Sequence, residues 1–258
     1  MTKPKTIELP DGANIPILYE DRSVLAIDKP AHWMLVPYSW QRTDRNLQAA
    51  LVSSIAANDF WARSRGIKFL RFVHRLDAET TGVLLFARSH GAVDSYGRLF
   101  ESRRIEKTYL VVVEGVPKQP EWTCQLELAP DPTRIGRMEV AMRGGKDAET
   151  QFRLIASAPS PGGCVRSLVE AHPLTGRTHQ IRVHAAESGC PVVGDGLYGR
   201  SKTTGPKRFP LGLRAIALRF KDPFTRRPVS ISAPTSEFLD AFGFAKIATA
   251  SGWKFDCH

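Results

Sequence analysis

Short apolar runs separated by polar turns dominate this chain, and few stretches carry the longer period of a helix. Residues 15–28 predict two strands around the acidic turn at Glu20 and Asp21. Lys29-Pro30 closes the second, because proline withholds a ladder donor. Leu47, Leu51 and Ile55 fall four apart, one face of a helix that Thr43 or Asp44 would cap and that would end near Asn58. Residues 69–73 and 82–87 are apolar runs of strand length, with the polar stretch 74–81 between them as a loop at a sheet edge. Ser89 is the N-cap of a predicted helix with Val93, Tyr96, Leu99 and Phe100 on one side, although Gly91 and Gly97 each cost it about 1 kcal/mol.

A strand follows over 106–114, on which Lys107, Tyr109, Val111 and Val113 share a face. Further strands are expected at 122–128, 149–156, 164–171, 213–220 and 228–232. Thr178 would cap a helix that stops at Gly189 before Pro191. Clustered strands irregularly interrupted by three or four helices predict an α+β fold. It would be a single catalytic domain with a mixed, largely antiparallel central sheet flanked by helices and loops. The boundaries expected are an N-terminal extension over 1–16, the domain over 17–240 and a tail over 241–258.

Composition sharpens this. The 258 residues carry 36 Lys+Arg against 26 Asp+Glu, a net charge of +10, while hydrophobic (42%) and charged (24%) fractions are those of a globular chain and exclude a disordered or collagen-like one. The excess points to an anionic partner without separating nucleic acid from a membrane surface. No stretch approaches the ~20 apolar residues that cross a bilayer, which removes membrane insertion from the expectation. Cys124, Cys164, Cys190 and Cys257 lack zinc-site spacing and read as reduced thiols of a cytoplasmic protein.

Two segments carry candidate chemistry. His74-Arg75-Leu76-Asp77 opens a loop between two strands and places a carboxylate beside an arginine. An opposite charge nearby favours the ionised form, which can serve as nucleophile or base; a salt-bridged Asp that only fastens two strands satisfies the same pattern. In Thr175-Gly176-Arg177-Thr178-His179-Gln180-Ile181-Arg182-Val183-His184, Arg177 and Arg182 at a helix start suit a phosphate or a carboxylate. His172, His179 and His184 invite a metal reading. Residues five apart, however, point to opposite faces of a strand or about 140° apart on a helix, so no metal is expected. Neither a phosphate-cradling glycine loop nor a GxSxG elbow occurs, and 194–199 reads as a turn.

The blocks His74-Arg75-Leu76-Asp77-x-x-Thr80-Thr81-Gly82, Lys107-Thr108-Tyr109-Leu110, and Thr175 to His184 followed by Val193-Gly194-Asp195-x-x-Tyr198-Gly199, opened by Asp28-Lys29-Pro30, resemble the RluA-type RNA pseudouridine synthases. The resemblance runs from about residue 17 to 234. It departs from the usual pattern at Thr80-Thr81, where Thr-Ser is common, and at Arg214, where a histidine is common. It implies isomerisation of uridine in structured ribosomal or transfer RNA after base flipping, with no cofactor and no metal. Asp77 would be the essential carboxylate and Arg182 its partner. Tyr109 would pack under the uracil and take the proton from carbon 5, and Arg75 would help displace the base. Arg177, His179 and Lys107 are the further RNA-binding candidates.

About sixteen residues precede the first strand, fewer than the small RNA-binding domain many relatives carry, so the catalytic domain is expected to find its RNA by itself as a monomer. The rival reading is a non-catalytic RNA-binding protein on the same fold. The presence of Asp77, Tyr109 and Arg182 weighs against it.

Overall fold

The computed structural model describes residues 2–9, 12–35, 45–160, 163–199 and 210–245. In chain order its elements are β1 (Thr6–Glu8), β2 (Asn14–Glu20), β3 (Val24–Lys29), α1 (Leu47–Ala56), α2 (Phe60–Arg63), β4 (Arg71–Phe72), β5 (Thr81–Ala87) and α3 (His90–Glu101). Then come β6 (Glu106–Glu114), β7 (Glu121–Gln125), β8 (Leu128–Pro130), β9 (Met138–Val140), β10 (Glu149–Pro159), β11 (Val165–Pro173) and α4 (Gln180–Glu187). β12 (Leu213–Lys221), β13 (Pro228–Ser232) and α5 (Ser236–Phe242) complete the order. Two compact units share these elements: Met1–Ile105 with Ala217–Ala233, and Glu106–Ile216 with Pro234–His258.

In the first unit β1, β2, β3 and β5 pair in that order, all antiparallel, with β4 added to β5 and β13 paired to β12. The acidic turn is built as expected: Asp21 Oδ1 accepts the N–H groups of Ser23 and Val24 at 2.7 and 2.8 Å, fixing the reversal from β2 to β3. Alternate residues Val24 and Ala26, Val83, Leu85 and Ala87, and Leu218 and Phe220 meet Tyr96 of α3 in one core. Each large side chain buried there contributes about 1.5–3 kcal/mol. Ser89 caps α3 as predicted, its Oγ accepting the Ala92 N–H at 3.2 Å. α1 is capped by Asn46, whose side chain accepts the Ala49 N–H at 3.0 Å; Thr43 and Asp44 lie outside the described residues. Leu47 and Leu51 are buried on α1. Ile55 is only half-buried, and Ser54 is buried in its place, accepting the Trp61 indole N–H at 2.7 Å.

In the second unit β6, β11, β10 and β7 form the sheet, again antiparallel throughout. One face packs Leu110, Val112 and Leu168 against Leu239 and Phe242 of α5 and Phe244 beyond it. α4 brings Val183 against Leu128 and Ala148, and the β8–β9 hairpin, a two-stranded sheet of its own, joins that cluster through Met138 and Val140. The helix expected behind a Thr178 cap begins one residue later, with His179 in the cap position. His179 precedes it with φ +54°, and Gln180 closes the entry: its Oε1 accepts the Arg177 N–H at 3.0 Å and the Thr175 hydroxyl at 2.6 Å. The architecture is α+β with a largely antiparallel sheet, as the sequence pattern predicts.

Candidate active site

The sequence-predicted carboxylate sits on the loop from β4 to β5 in the first unit, and a lysine holds that loop. Lys29, at the end of β3, is fully buried, and its Nζ donates to the carbonyls of Pro30, Ala78 and Thr80, each at 2.9 Å. Three N–H donors therefore meet three acceptors, two of them on the Asp77 loop. Burial pulls the Lys29 ammonium down to about 8, against the opposing pull of the Asp77 and Glu79 charges. The His32 N–H adds a further bond to the Ala78 carbonyl at 2.7 Å, from a backbone at φ +66°. At the loop's other side the Thr80 N–H returns to the Asp77 carbonyl at 3.2 Å, while His74 accepts the Leu85 N–H on Nε2 at 3.0 Å and stacks on Phe100. The loop is thus fastened by its backbone, leaving Asp77 half-buried and Arg75 exposed.

In the second unit, Tyr109 lies on β6 opposite Ala171 of β11 and is buried, with Lys107 on the same face donating to the Thr175 carbonyl at 2.6 Å. Arg182, on the first turn of α4, is 2% exposed and holds a carboxylate, one of the two options its sequence allowed. That carboxylate is Asp195: Nε reaches Oδ2 at 2.7 Å and an Nη reaches Oδ1 at 2.8 Å, a bidentate buried pair. Burial alone would raise the Asp195 carboxyl; the guanidinium and the N–H groups of Leu197 and Tyr198 reverse that and hold it below the usual carboxylate range.

Tyr198 completes the arrangement. Its ring faces the guanidinium of Arg182 at 5.3 Å and that of Arg137 at 5.4 Å. Its hydroxyl accepts the Met138 N–H at 2.8 Å and lies 2.9 Å from His179 Nδ1. His179, one of the RNA-binding candidates, is buried, with Nδ1 against the Tyr198 hydroxyl and its ring edge-on to the Tyr198 ring. Arg177 is half-exposed and donates to the Asp147 carbonyl at 2.9 Å. The three histidines that invited a metal reading have separate polar partners: Glu170 for His172, Tyr198 for His179 and Thr150 for His184.

Sequence reasoning missed Lys29, Asp195 and Tyr198 as site residues. Lys29 read as a strand end and the other two as turn residues, and although all three stand in the blocks that carry the resemblance, none was given a role. Asp195 and Tyr198 follow Arg182 at a fixed spacing, but nothing in a linear reading says that they meet it in space.

The family description "RNA pseudouridylate synthase" matches residues 23–187. The chain is 32% identical over 231 residues to ribosomal large subunit pseudouridine synthase C of Vibrio vulnificus, covering 87% of this chain and 67% of that protein. The corresponding protein of Rickettsia bellii is 33% identical over 187 residues, covering 72% of this chain and 57% of that protein. An uncharacterised RNA pseudouridine synthase of Zymomonas mobilis is 32% identical over 88% of this chain and 97% of its own length. The chain therefore spans about two thirds or less of the two ribosomal relatives and nearly all of the third. The structure of human RNA pseudouridylate synthase domain containing 1 superposes with a TM-score of 0.71 at 28% identity, over 94% of this chain and 90% of that one. The three sequence blocks, the anchored Asp77 loop and these matches agree, and the chain belongs to the RNA pseudouridylate synthase family.

Proposed function

We propose that this protein isomerises uridine to pseudouridine in large-subunit ribosomal RNA, with residues 17–240 as its catalytic module, acting as a cytoplasmic monomer. The reaction balances within the substrate. The bond from uracil nitrogen 1 to the ribose breaks, a bond from carbon 5 to the same ribose carbon forms, and a proton passes from carbon 5 to nitrogen 1. No oxidant or reductant is consumed. Asp77 is the reacting carboxylate, Tyr109 packs under the uracil and takes the carbon 5 proton, and Arg182 supplies positive charge. Arg75 helps displace the target base, which costs a few kcal/mol of unstacking. Lys107 and Arg177 contact the RNA.

The observation that carries this reading is the anchoring of the Asp77 loop by the buried Lys29 ammonium, at the Ala78 and Thr80 carbonyls, in a chain of this family. A carboxylate that has to meet one ring atom gains from a backbone that cannot drift, since about 1 Å of misplacement costs on the order of a hundredfold in rate. The reading is tested by mapping pseudouridine in total RNA from cells lacking this chain, complemented with the wild type or with Asp77→Ala. One or more ribosomal sites should vanish with the chain and return only with the wild type. Return with both forms would overturn the assignment of Asp77.

A further inference from the structure

The β8–β9 hairpin ends in a turn over 131–137 whose construction the isomerisation does not explain. Ile135 at its tip is 98% exposed, and Met142, past the end of β9, is 95% exposed. Every other exposed large apolar side chain among the described residues stands at 54% or less. A lone half-exposed apolar residue is ordinary on a protein surface. An isoleucine held almost wholly in water on a fixed turn is a different case.

The turn is fixed by Asp131. Its Oδ1 accepts the Thr133 N–H at 2.8 Å, the Thr133 hydroxyl at 2.7 Å and the Arg134 N–H at 3.1 Å, while Oδ2 accepts from Arg137 at 3.0 Å. The Asp131 N–H reaches the Arg137 carbonyl at 2.9 Å, and Gly136 takes the φ of +80° that the reversal needs. Arg137 is thereby committed inward, onto Asp131 and Tyr198, while Arg134 remains exposed beside Ile135. Arg143 and Lys146 stand exposed on the Met142 side. The hairpin is seated on the site's own framework, since the Met138 N–H bonds the Tyr198 hydroxyl and the Tyr198 ring faces Arg182.

We infer that the 131–137 turn is a second RNA-contacting element, in which Ile135 wedges against a base step and Arg134 lies on the adjoining phosphates. An apolar side chain inserted at a base step, flanked by arginine, is a recognised way to grip a nucleic acid helix. The exposed Arg134, Arg143 and Lys146 beside these two side chains call for an anionic partner, and RNA is the anionic partner that the family's reaction brings to the protein. This inference rests on the RNA-modifying reading above. A preformed turn pays little ordering entropy on contact, which suits a wedge.

The test is binding to an unmodified transcript of the host's large-subunit ribosomal RNA, with Ile135→Ser and Arg134→Ala each placed in the wild-type and Asp77→Asn backgrounds. Ile135→Ser should weaken binding about tenfold, raise KM and leave kcat unchanged, with an unaltered melting temperature because the side chain packs on almost nothing. Arg134→Ala should lessen the log–log salt slope by about 0.7–0.9. Binding within about twofold of the parent for both variants, with an unchanged slope, would overturn the inference. Wild-type conversion of uridine in the same transcript, scored separately, tells failure of the wedge from failure of the RNA-modifying reading.

Discussion

Arg182 and Asp195 meet side-on, two nitrogens to two oxygens at 2.7 and 2.8 Å, with both side chains withdrawn from solvent. A buried pair of this kind is stable only while it is whole. Removing one partner strands the other charge, at a cost of about 3–5 kcal/mol. Asp195→Ala should therefore lower stability by that order and abolish turnover, while Asp195→Asn, which keeps the shape and one acceptor, should recover part of both. Urea unfolding beside single-turnover rates checks this, and equal stability in all three proteins would contradict it.

Tyr198 joins the hairpin to α4 through its hydroxyl. Tyr198→Phe leaves the ring over the two guanidinium groups but orphans the Met138 N–H and the His179 nitrogen. The expected loss is about 1–3 kcal/mol of stability, together with a reduced kcat. Unchanged denaturation and kinetics would show that the hydroxyl holds nothing.

Lys29→Met removes the ammonium that holds the Ala78 and Thr80 carbonyls of the Asp77 loop, and the Pro30 carbonyl beside it, leaving Ala78 with the His32 N–H. We predict a fall in kcat of at least about tenfold with RNA affinity within about twofold, because the lysine lies inside the loop and touches no phosphate. Parallel losses of kcat and affinity, seen by single-turnover and filter-binding assays, would contradict a role confined to positioning.

His184 supplies a pH dependence. Burial lowers its imidazole to about 4, against a weaker opposing bond to the Leu126 backbone. The unfolded chain therefore binds more protons than the folded one between pH ~4 and ~6.5. Its contribution to stability is complete above pH ~6.5 and is lost as pH falls toward 4, up to about 3 kcal/mol. His184→Gln should flatten that part of the stability profile, measured by urea midpoints at pH 7, 6 and 5. An identical slope in the variant would contradict it.

Much of this was legible beforehand where a local pattern and tertiary packing asked for the same thing. The alternation on β6 put Lys107 and Tyr109 on one face, and the structure has them there. Ser89 was legible because its hydroxyl acts on an N–H only three residues away. β8, β9 and α2 escaped because three or four residues are too few for a period to register. The start of α4 was misplaced by one residue because Gln180, in the helix, closes its entrance through the Arg177 N–H and the Thr175 hydroxyl. Gln180 is itself held by Glu149 and Thr150, about thirty residues away, which a local reading of Thr178 as the cap does not include. The anchoring by Lys29 was not legible because its acceptors at Ala78 and Thr80 lie 49 and 51 residues away. No sequence spacing announces such a bond.

Asp77 is the proposed reacting carboxylate. Its most direct measurement is tritium release from ribosomal RNA labelled at uracil carbon 5, comparing the wild type with Asp77→Ala at matched RNA occupancy. The wild type is expected to release tritium in step with pseudouridine formation, and the variant to bind the RNA and release none. Release by Asp77→Ala at the wild-type rate would contradict the account.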